Sequence, residues 1–341
     1  MRGGFTTADD LISHGHDYVR VDASRIRRVV TLRTSGSTGD RKRLYFTEED
    51  LRRTVDFFRD GMGTICSPGD KVAILMGSSS PDGLGSLLAE GLRELGAIPT
   101  LLGLPGAYAE TAAALRDLRP DNLVGLPVQV RRLALTVPEL RPKSVLLSGD
   151  YVSEAVRCTV SRVWRTKVFS HYGLTESGLG FAVQCPLLLG QHVRAEELSL
   201  EIVDPDTGAP LPEGRWGEIV FSTLRREAMP LSRYRTGDVS RLIPGTCPCG
   251  RKGPRLDQIL GRVTELRKPV SVYALDEALL RMDEVLDYEA ALRDGVLTVT
   301  LEGGDPIAVQ ALLAEKFPQL SVRAVPGVIP PSAQKRMVKT L

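Results

Sequence analysis

A loop rich in glycine and hydroxyl side chains is the first segment of this sequence that could do chemistry. It reads Thr34-Ser35-Gly36-Ser37-Thr38-Gly39-Asp40-Arg41-Lys42. Glycines let the backbone approach an anion closely, while N–H and hydroxyl groups can surround the anion and a lysine adds positive charge. The spacing of Gly36 and Gly39 excludes a Walker A loop, in which four residues separate the first glycine from Gly-Lys. The segment predicts a phosphate-binding loop, and a plain polar hairpin loop is the alternative.

Three cysteines and one histidine form a second candidate site, at Cys185, His192, Cys247 and Cys249. Three thiolates and one imidazole are a common tetrahedral zinc set, and a closed set of four ligands is structural rather than catalytic. The alternative is four unrelated buried residues. The remaining cysteines, Cys66 and Cys158, stand among apolar residues and are predicted to lie in the core.

The elements that position these residues change in character along the chain. Between about residues 27 and 170, short apolar runs alternate with helical patterns, which predicts a mostly parallel sheet covered by helices on both faces. One helix is expected to begin at Thr47, with Asp50 completing its N-terminal cap. After about residue 195 the pattern predicts antiparallel strands in a barrel-like arrangement. The last 80 residues predict a small α+β domain with a hairpin at Asp294-Gly295.

Length and composition narrow the class of protein. A chain of 341 residues fits one large and one small domain, here predicted as residues 1–261 and 262–341. The formal net charge of +2 does not favour nucleic acid or an anionic membrane as a partner. No apolar run is long enough for a membrane helix and the first residues do not form a signal peptide, so the cytoplasm is the expected compartment. Five cysteines in such a chain do not indicate a disulfide framework.

Motifs that follow the loop in order carry a resemblance to a known family. They are His171-Tyr172-Gly173-Leu174-Thr175-Glu176, Arg233-Tyr234-Arg235-Thr236-Gly237-Asp238 and Gly261-Arg262. Together with the loop, they resemble the motifs of the adenylate-forming superfamily, which includes the acyl-CoA synthetases. Residues 201–255, with the runs 226–231 and 247–250, are similar to the phenylacetate–CoA ligase branch. Similar Cys/His sets occur in that branch, which supports the zinc hypothesis.

The resemblance implies a reaction in two steps. The carboxylate of a small-molecule acid attacks the α-phosphate of ATP, which yields acyl-AMP and pyrophosphate, and a thiol, usually coenzyme A, then takes the acyl group. The family suggests an aryl or arylacetic acid, with the acid pocket expected near residues 125–130, 148–151 and 173–178.

The resemblance also implies a role for individual residues. The β- and γ-phosphates would be held by Thr34, Ser35, Gly36, Ser37, Thr38, Gly39 and Lys42. Thr175 would touch the α-phosphate. Glu176 would bind Mg²⁺, because this ion prefers carboxylate oxygens. Tyr172 and Gly173 would lie against adenine, together with the turn Ser148-Gly149-Asp150. Asp238 would accept hydrogen bonds from the ribose hydroxyls, and Arg262 would contact ribose or phosphate. Lys335 would stabilise the adenylation transition state.

The sequence departs from the family near the domain boundary. Thr264 stands where the family has aspartate, and residues 267–272 replace a glycine-containing loop past which pantetheine would slide. Two alternatives to a CoA ligase therefore stay open. One is an adenylating enzyme that passes the acyl group to another acceptor such as a carrier protein, and the other is a nucleotide-binding regulatory protein without turnover. The sequence leaves the acid and the oligomeric state undetermined.

Overall fold

The structure is a computed structural model that describes residues 4–33, 41–77, 82–330 and 336–340. Its strands are β1 (Arg28–Arg33), β2 (Arg41–Phe46), β3 (Lys71–Leu75), β4 (Ile98–Leu101), β5 (Asn122–Gly125), β6 (Ser144–Leu147), β7 (Lys167–Tyr172), β8 (Ala182–Gln184), β9 (Gln191–Val193), β10 (Leu198–Val203), β11 (Gly217–Thr223), β12 (Tyr234–Ser240), β13 (Arg255–Leu256), β14 (Gly261–Arg262), β15 (Val285–Arg293), β16 (Val296–Gly303), β17 (Ser321–Pro326) and β18 (Lys339–Thr340). Its α-helices are α1 (Ala8–His14), α2 (Glu48–Met62), α3 (Leu84–Glu94), α4 (Tyr108–Leu118), α5 (Pro127–Thr136), α6 (Glu154–Trp164), α7 (Val263–Leu266), α8 (Val272–Leu279) and α9 (Pro306–Lys316).

Contacts between the elements divide the chain into two units. The first unit consists of Met1–Gly69, Ser78–Ile98 and Ser170–Ile259, and the second unit consists of Asp70–Gly77, Pro99–Phe169 and Leu260–Leu341. Among the described residues, no helix combines the length and the apolar character that crossing a bilayer requires.

The first unit is built mainly from antiparallel strands. β1 pairs with β2, β10 with β11, and β11 with β12, all antiparallel, and β7, β8, β9 and β13 pair in the same way. Helix α2 begins with the predicted cap, because the Thr47 hydroxyl accepts from the Asp50 N–H at 3.1 Å and the Asp50 carboxylate accepts from the Thr47 N–H at 3.0 Å. The predicted antiparallel part and the predicted start of this helix are confirmed.

The second unit contains the parallel part of the fold. β3, β5 and β6 lie side by side in parallel, and helices α4 and α5 connect them along the chain. The buried side chains on both faces of these strands are typical of a sheet covered on two sides. The predicted parallel sheet is confirmed for these strands.

The C-terminal residues of the second unit form the predicted α+β arrangement. β15 and β16 make a hairpin whose turn residues Asp294 and Gly295 have φ values of +48° and +76°, as a two-residue hairpin turn requires. Helix α9 then leads to β17, which pairs in parallel with β16.

One cluster of buried apolar side chains extends through the second unit. It joins residues of the parallel sheet and its helices, such as Leu75, Val130 and Trp164, to C-terminal residues such as Leu275 and Val299. The C-terminal residues therefore share a core with the parallel sheet. The predicted functional boundary between residues 261 and 262 stays a prediction.

A buried arginine reinforces this shared core. Arg131 on α5 has no exposed surface, and its guanidinium donates to the backbone carbonyls of Val285 at 2.7 Å and Met282 at 2.8 Å. Burial lowers the pKa of Arg131 to about 10, so the side chain stays charged at neutral pH. The neighbouring Arg132 forms a bidentate pair with Glu302, with both distances 2.6 Å.

One cysteine was placed wrongly by the sequence. Cys66 is buried as predicted, but Cys158 is exposed on α6, where its thiol lies 3.2 Å from the Glu154 carboxylate. The prediction relied on the apolar residues next to Cys158 in the sequence. An amphipathic helix also has a face that lies toward solvent, and Cys158 lies on that face of α6.

Candidate active site and metal centre

A lysine, a glutamate and a tyrosine meet inside the first unit. The Lys42 ammonium on β2 forms an ion pair with Glu176, and Tyr234 at the start of β12 donates its hydroxyl to the same Glu176 oxygen at 2.9 Å. Lys42 also lies 3.3 Å from the Tyr234 oxygen. All three residues are buried, with between 2% and 9% of their surface exposed. The fold therefore brings together Lys42, which was predicted to bind phosphate, and Glu176, which was predicted to bind Mg²⁺.

The charge state of Glu176 follows from this arrangement. Burial alone would raise the pKa of its carboxyl, but the charge of Lys42 and the hydrogen bonds to Lys42 and Tyr234 outweigh burial and lower the pKa below its usual value. Glu176 is therefore an ionised oxygen donor at neutral pH.

The loop that carries Glu176 is shaped by two glycines. A Cβ at Gly173 would lie 2.1 Å from the carbonyl oxygen of Leu179, so no other residue fits there. Gly178 has a φ of +84°, and its carbonyl accepts a hydrogen bond of 2.8 Å from the Thr54 hydroxyl on α2. Thr175 lies within this loop, where its carbonyl accepts from the Gly178 N–H at 3.1 Å.

Arg226 supports the same loop. In the sequence it stood out only as part of the run 226–231, and no role of its own was predicted for it. Its guanidinium stacks on the Phe46 ring at 3.9 Å and forms an ion pair of 3.5 Å with Asp50. A Cβ at Gly178 would lie 2.8 Å from one of its nitrogens. Burial lowers the pKa of Arg226 to about 10. A sequence motif gives no sign of such burial, because the partners come from distant segments.

Tyr172 and Asp238 form a second buried pair in the first unit. The Tyr172 hydroxyl donates to Asp238 at 2.8 Å, and Asp238 has no exposed surface. Burial and the Asp238 charge raise the pKa of Tyr172 well above its usual value, so the phenol keeps its proton. The register of β11 and β12 shifts just before Asp238, at Gly237 with a φ of +74°, and such an irregularity redirects the side chain that follows.

A row of aromatic rings connects the two pairs. The ring centroids are 5.1 Å apart for Tyr172 and Phe181, 5.4 Å for Phe181 and Phe221, and 5.5 Å for Phe221 and Tyr234. Rings packed at such distances fix each other's orientation. The sequence predictions assigned no role to Tyr234, Phe181 or Phe221.

Further residues predicted to contact the nucleotide belong to the second unit. Ser148, Gly149 and Asp150 form a turn after β6 in the second unit, and Arg262 is an exposed residue of β14 in that unit. The predicted phosphate-loop residues 34–39 and Lys335 lie outside the described residues.

The predicted zinc ligands come together in the first unit. Cys185 follows β8, His192 lies on β9, and Cys247 and Cys249 lie between β12 and β13. Their ligand atoms all lie within 4.8 Å of one another. The Cys185 and Cys247 sulfurs are 3.8 Å apart, and the Cys249 sulfur is 3.4 Å from His192 Nε2.

These distances match a tetrahedral zinc site. Two sulfurs bound to one zinc at about 2.3 Å would be about 3.8 Å apart, and a sulfur and an imidazole nitrogen about 3.6 Å apart. A sulfur separation of 3.8 Å is far too long for a disulfide bond. Three of the four residues are buried, so the donor set fits a closed structural site.

Comparison with known proteins adds independent information. The chain is 31% identical over 313 residues to a phenylacetate–coenzyme A ligase of Thermus thermophilus, an alignment that covers 86% of this chain and 69% of the relative. The chain belongs to the phenylacetate–coenzyme A ligase family. A ligase of the same name from Escherichia coli is 28% identical, over 82% of this chain and 66% of the relative. A scan against protein-family models finds no match.

The fold of this ligase family member has solved counterparts. A 2-hydroxyisobutyryl-CoA ligase crystallised with 2-HIB-AMP aligns with a TM-score of 0.80 at 20% identity, over 100% of this chain and 80% of that chain. The predicted family, its fold class and its reaction class, that of an AMP-forming acid–CoA ligase, are confirmed. The chain spans about two thirds of the length of the two curated relatives.

Proposed function

We propose that this chain uses ATP to convert a carboxylic acid into its acyl-adenylate and then passes the acyl group to coenzyme A. The observation that carries the proposal is the buried cluster of Lys42, Glu176 and Tyr234. It provides a cation for phosphate oxygens beside an ionised carboxylate, and phosphoryl transfer needs such positioning and neutralisation of charge more than covalent participation by the protein.

The chemistry proceeds by two substitutions. In the first, a carboxylate oxygen of the acid bonds to the α-phosphorus of ATP while the bond from that phosphorus to the β-phosphate oxygen breaks, which releases pyrophosphate. In the second, the coenzyme A sulfur bonds to the acyl carbon as its thiol proton leaves, and AMP departs with the electron pair.

The cluster residues have separate roles in the first step. Lys42 would neutralise phosphate oxygens, and Tyr234 would hold the Glu176 carboxylate in place through its hydrogen bond of 2.9 Å. Glu176 fits Mg²⁺, because an ionised carboxylate is the ligand type this ion prefers, and the bound ion would neutralise further phosphate charge. Binding of the triphosphate with Mg²⁺ would replace the ion pair between Lys42 and Glu176 by contacts to ATP and the ion.

Asp238 and Tyr172 support a site for the adenosine part of ATP. Asp238 accepts from Tyr172 through one carboxylate oxygen, and a carboxylate has enough lone pairs to accept from ribose hydroxyls as well. The roles of Thr175, Gly173, Arg262, Lys335, the turn at Ser148–Asp150 and the loop at 34–39 stay as predicted from the family.

The proposed substrate is an arylacetic or aryl acid. The curated relatives are named for phenylacetate, which makes that acid the first candidate. The residues predicted to line the acid pocket remain those at 125–130, 148–151 and 173–178. The cytoplasmic location also stays a prediction.

Release of pyrophosphate tests this function. Purified protein would be incubated with ATP, Mg²⁺ and a panel of aryl and alkyl acids, with and without coenzyme A. We expect acid-dependent pyrophosphate release, highest with an arylacetic acid, and formation of the acyl thioester when coenzyme A is present. Folded protein that binds ATP but releases no pyrophosphate with any acid would contradict the proposal and favour the regulatory alternative.

An acceptor other than coenzyme A is a second candidate because of the segment after Arg262. There, helix α7 is followed by Lys268, whose ammonium lies 2.5 Å from Glu265 and 2.9 Å from the Val338 carbonyl. These bonds hold the segment that replaces the glycine-containing loop of the family. Pyrophosphate release without thioester formation, together with acyl transfer to a carrier protein, would favour this candidate.

We also propose that Cys185, His192, Cys247 and Cys249 hold one structural zinc ion. The four residues would then fasten the strands β8 and β9 to the segment before β13. We expect about one zinc per chain in purified protein, and Cys249→Ser is expected to lower both the zinc content and the unfolding temperature. Metal analysis by mass spectrometry and thermal unfolding measure the two effects.

Cys158→Ser provides the matched control for the zinc experiment, because Cys158 is an exposed cysteine outside the set. This variant is expected to keep the zinc content and unfolding temperature of the parent protein. Equal zinc content in the Cys249→Ser and Cys158→Ser proteins would contradict the site.

A further inference from the structure

Arg226, between β11 and β12, is attached to two elements of the first unit that surround the candidate active site. Its guanidinium stacks on the Phe46 ring at 3.9 Å and donates to the Tyr45 carbonyl at 3.3 Å, and both residues belong to β2. It also forms an ion pair of 3.5 Å with Asp50 in the first turn of α2. Because β2 also carries Lys42, Arg226 is attached to the strand that supplies the cation of the buried cluster.

The third contact of Arg226 is the loop that carries Glu176. One guanidinium nitrogen lies so close to Gly178 that a Cβ at this position would be 2.8 Å from it. The Gly178 carbonyl accepts from the Thr54 hydroxyl at 2.8 Å, and the Gly178 N–H donates to the Thr175 carbonyl at 3.1 Å. Arg226 and α2 therefore support the loop two residues after Glu176.

The polar contacts of Arg226 are long for a buried arginine. Its side chain is 7% exposed, and among the described residues its shortest polar contacts are 3.3 Å to Tyr45 and 3.5 Å to Asp50. Arg131, in contrast, donates to two carbonyls at 2.7 Å and 2.8 Å. Burial of a cation with weak compensation is costly, so a contribution to stability does not by itself account for Arg226.

Arg226 lies close enough to Glu176 to respond to its charge. Burial lowers the pKa of Arg226 to about 10, and the charges of Asp50 and Glu176 act in the opposite direction. Glu176 therefore has a second cation nearby in addition to Lys42, with which it forms its ion pair. In the proposed reaction Lys42 would contact phosphate oxygens, whereas Arg226 would keep its position through its own contacts.

We propose that Arg226 is a positioning residue that holds the Glu176 carboxylate where it can bind Mg²⁺. This inference rests on the proposed function. Arg226 acts through its packing against Gly178, which fixes the loop, and through its charge, which attracts the carboxylate. A displacement of a catalytic group by about 1 Å can lower a rate by about 10²-fold, so a support two residues away has a large effect.

The first test replaces Arg226 by methionine, which keeps much of the length of the side chain and removes its charge. We expect the kcat of acid-dependent ATP–pyrophosphate exchange to fall by about 10²-fold. The Mg²⁺ concentration required for half-maximal rate should rise, because Arg226 acts through Glu176. A parental rate together with a parental Mg²⁺ requirement would overturn the proposal.

A double-mutant cycle with Glu176→Gln separates positioning from other effects. In the Glu176→Gln background, adding Arg226→Met should lower the rate little further, since the carboxylate that Arg226 positions is already absent. The same fold-loss in both backgrounds would mean that Arg226 acts independently of Glu176, which contradicts the proposal.

Arg194→Met is the matched control in the same unit. The Arg194 side chain is 13% exposed, lies 5.4 Å from the centre of the Phe57 ring and forms an ion pair of 3.6 Å with Glu197. It is therefore an arginine in a similar environment whose partners lie outside the loop that carries Glu176. This variant should keep the parental rate and Mg²⁺ requirement. A loss as large as that of Arg226→Met would indicate a general effect of removing such an arginine and contradict the positioning role.

Hydrogen–deuterium exchange of the backbone amides gives a readout that does not depend on activity. Arg226→Lys keeps the charge but loses the planar group that stacks on Phe46, so it should retain part of the catalytic rate, and it decides the question if Arg226→Met does not fold. Deuterium uptake at residues 174–179 should be faster than in the parent for both Arg226 variants and unchanged for Arg194→Met.

The uptake also distinguishes the inference from the proposed function. Parental uptake at residues 174–179 in the Arg226 variants would show that Arg226 does not support the loop, and would overturn the inference. Faster uptake in a protein whose parent form releases no pyrophosphate would show that the support exists although the proposed function has failed.

Discussion

Replacement of Glu176 by glutamine is expected to lower the rate of acyl-adenylate formation by about 10²–10³-fold, as loss of one preorganised charge contact commonly does. Glutamine keeps the shape of the side chain and can still accept from Tyr234, but it removes the negative charge. Mg²⁺ would lose an anionic ligand, so the Mg²⁺ concentration required for half-maximal rate should rise. ATP–pyrophosphate exchange over a Mg²⁺ series measures both effects.

Glu201→Gln is the matched control for this experiment. Glu201 lies in the same unit and forms an ion pair of 2.7 Å with Arg233, the residue that precedes Tyr234 in the chain. Unlike Glu176, Glu201 is partly exposed, with 30% of its side chain accessible to solvent. A partly exposed pair contributes little, so the control should keep the parent rate and Mg²⁺ requirement. Equal rates for Glu176→Gln and Glu201→Gln would argue against a role of Glu176 in metal binding.

Replacement of Arg131 by alanine is expected to lower the free energy of unfolding by about 3–5 kcal/mol. The change leaves the carbonyls of Met282 and Val285 buried without their donor, and each such group costs about 1–3 kcal/mol. It also opens a cavity in the core of the second unit. Urea denaturation followed by circular dichroism measures the loss.

Arg132→Ala serves as the comparison, since it removes the adjacent arginine and its pair with Glu302. Those two side chains are 15% and 16% exposed, so water can replace part of the lost interaction. We expect a loss of about 1 kcal/mol for this variant. An equal loss for the two variants would mean that burial of Arg131 has no special energetic weight.

Local patterns in the sequence predicted much of the fold. The cap at Thr47 and the hairpin turn at Asp294 and Gly295 both depend on residues close together in the chain, and both are confirmed. Such features follow from backbone preference and nearby hydrogen bonds, which a sequence displays directly.

The candidate site was predicted through its motifs, but its supporting residues were not. Lys42 and Glu176 were assigned to one site although 134 residues separate them. The side chains of Arg131 and Arg226 were not recognised as buried, because an arginine in a sequence most often lies on the surface. Their burial depends on carboxylates and carbonyls from distant segments, which only the folded chain brings to them.

The sequence also did not predict that the C-terminal residues group with residues 70–77 and 99–169 in one unit. The change of pattern near residue 261 marks a change in local structure, and the sequence placed a boundary there. The shared core that joins Val130 and Trp164 to Leu275 and Val299 arises from packing between segments more than 100 residues apart. No periodicity within either segment reveals which surface it meets.

That shared core has a consequence for the construction of chimaeric ligases. Exchange of the C-terminal segment between family members is an attractive way to change the acyl acceptor, and residue 261 is the crossover point that the sequence suggests. A crossover there would take Arg131 and Val130 from one parent. Their partners in the C-terminal segment, such as Met282, Val285 and Val299, would come from the other parent. A donor fragment that also carries residues 70–77 and 99–169 would keep the packing of the second unit intact.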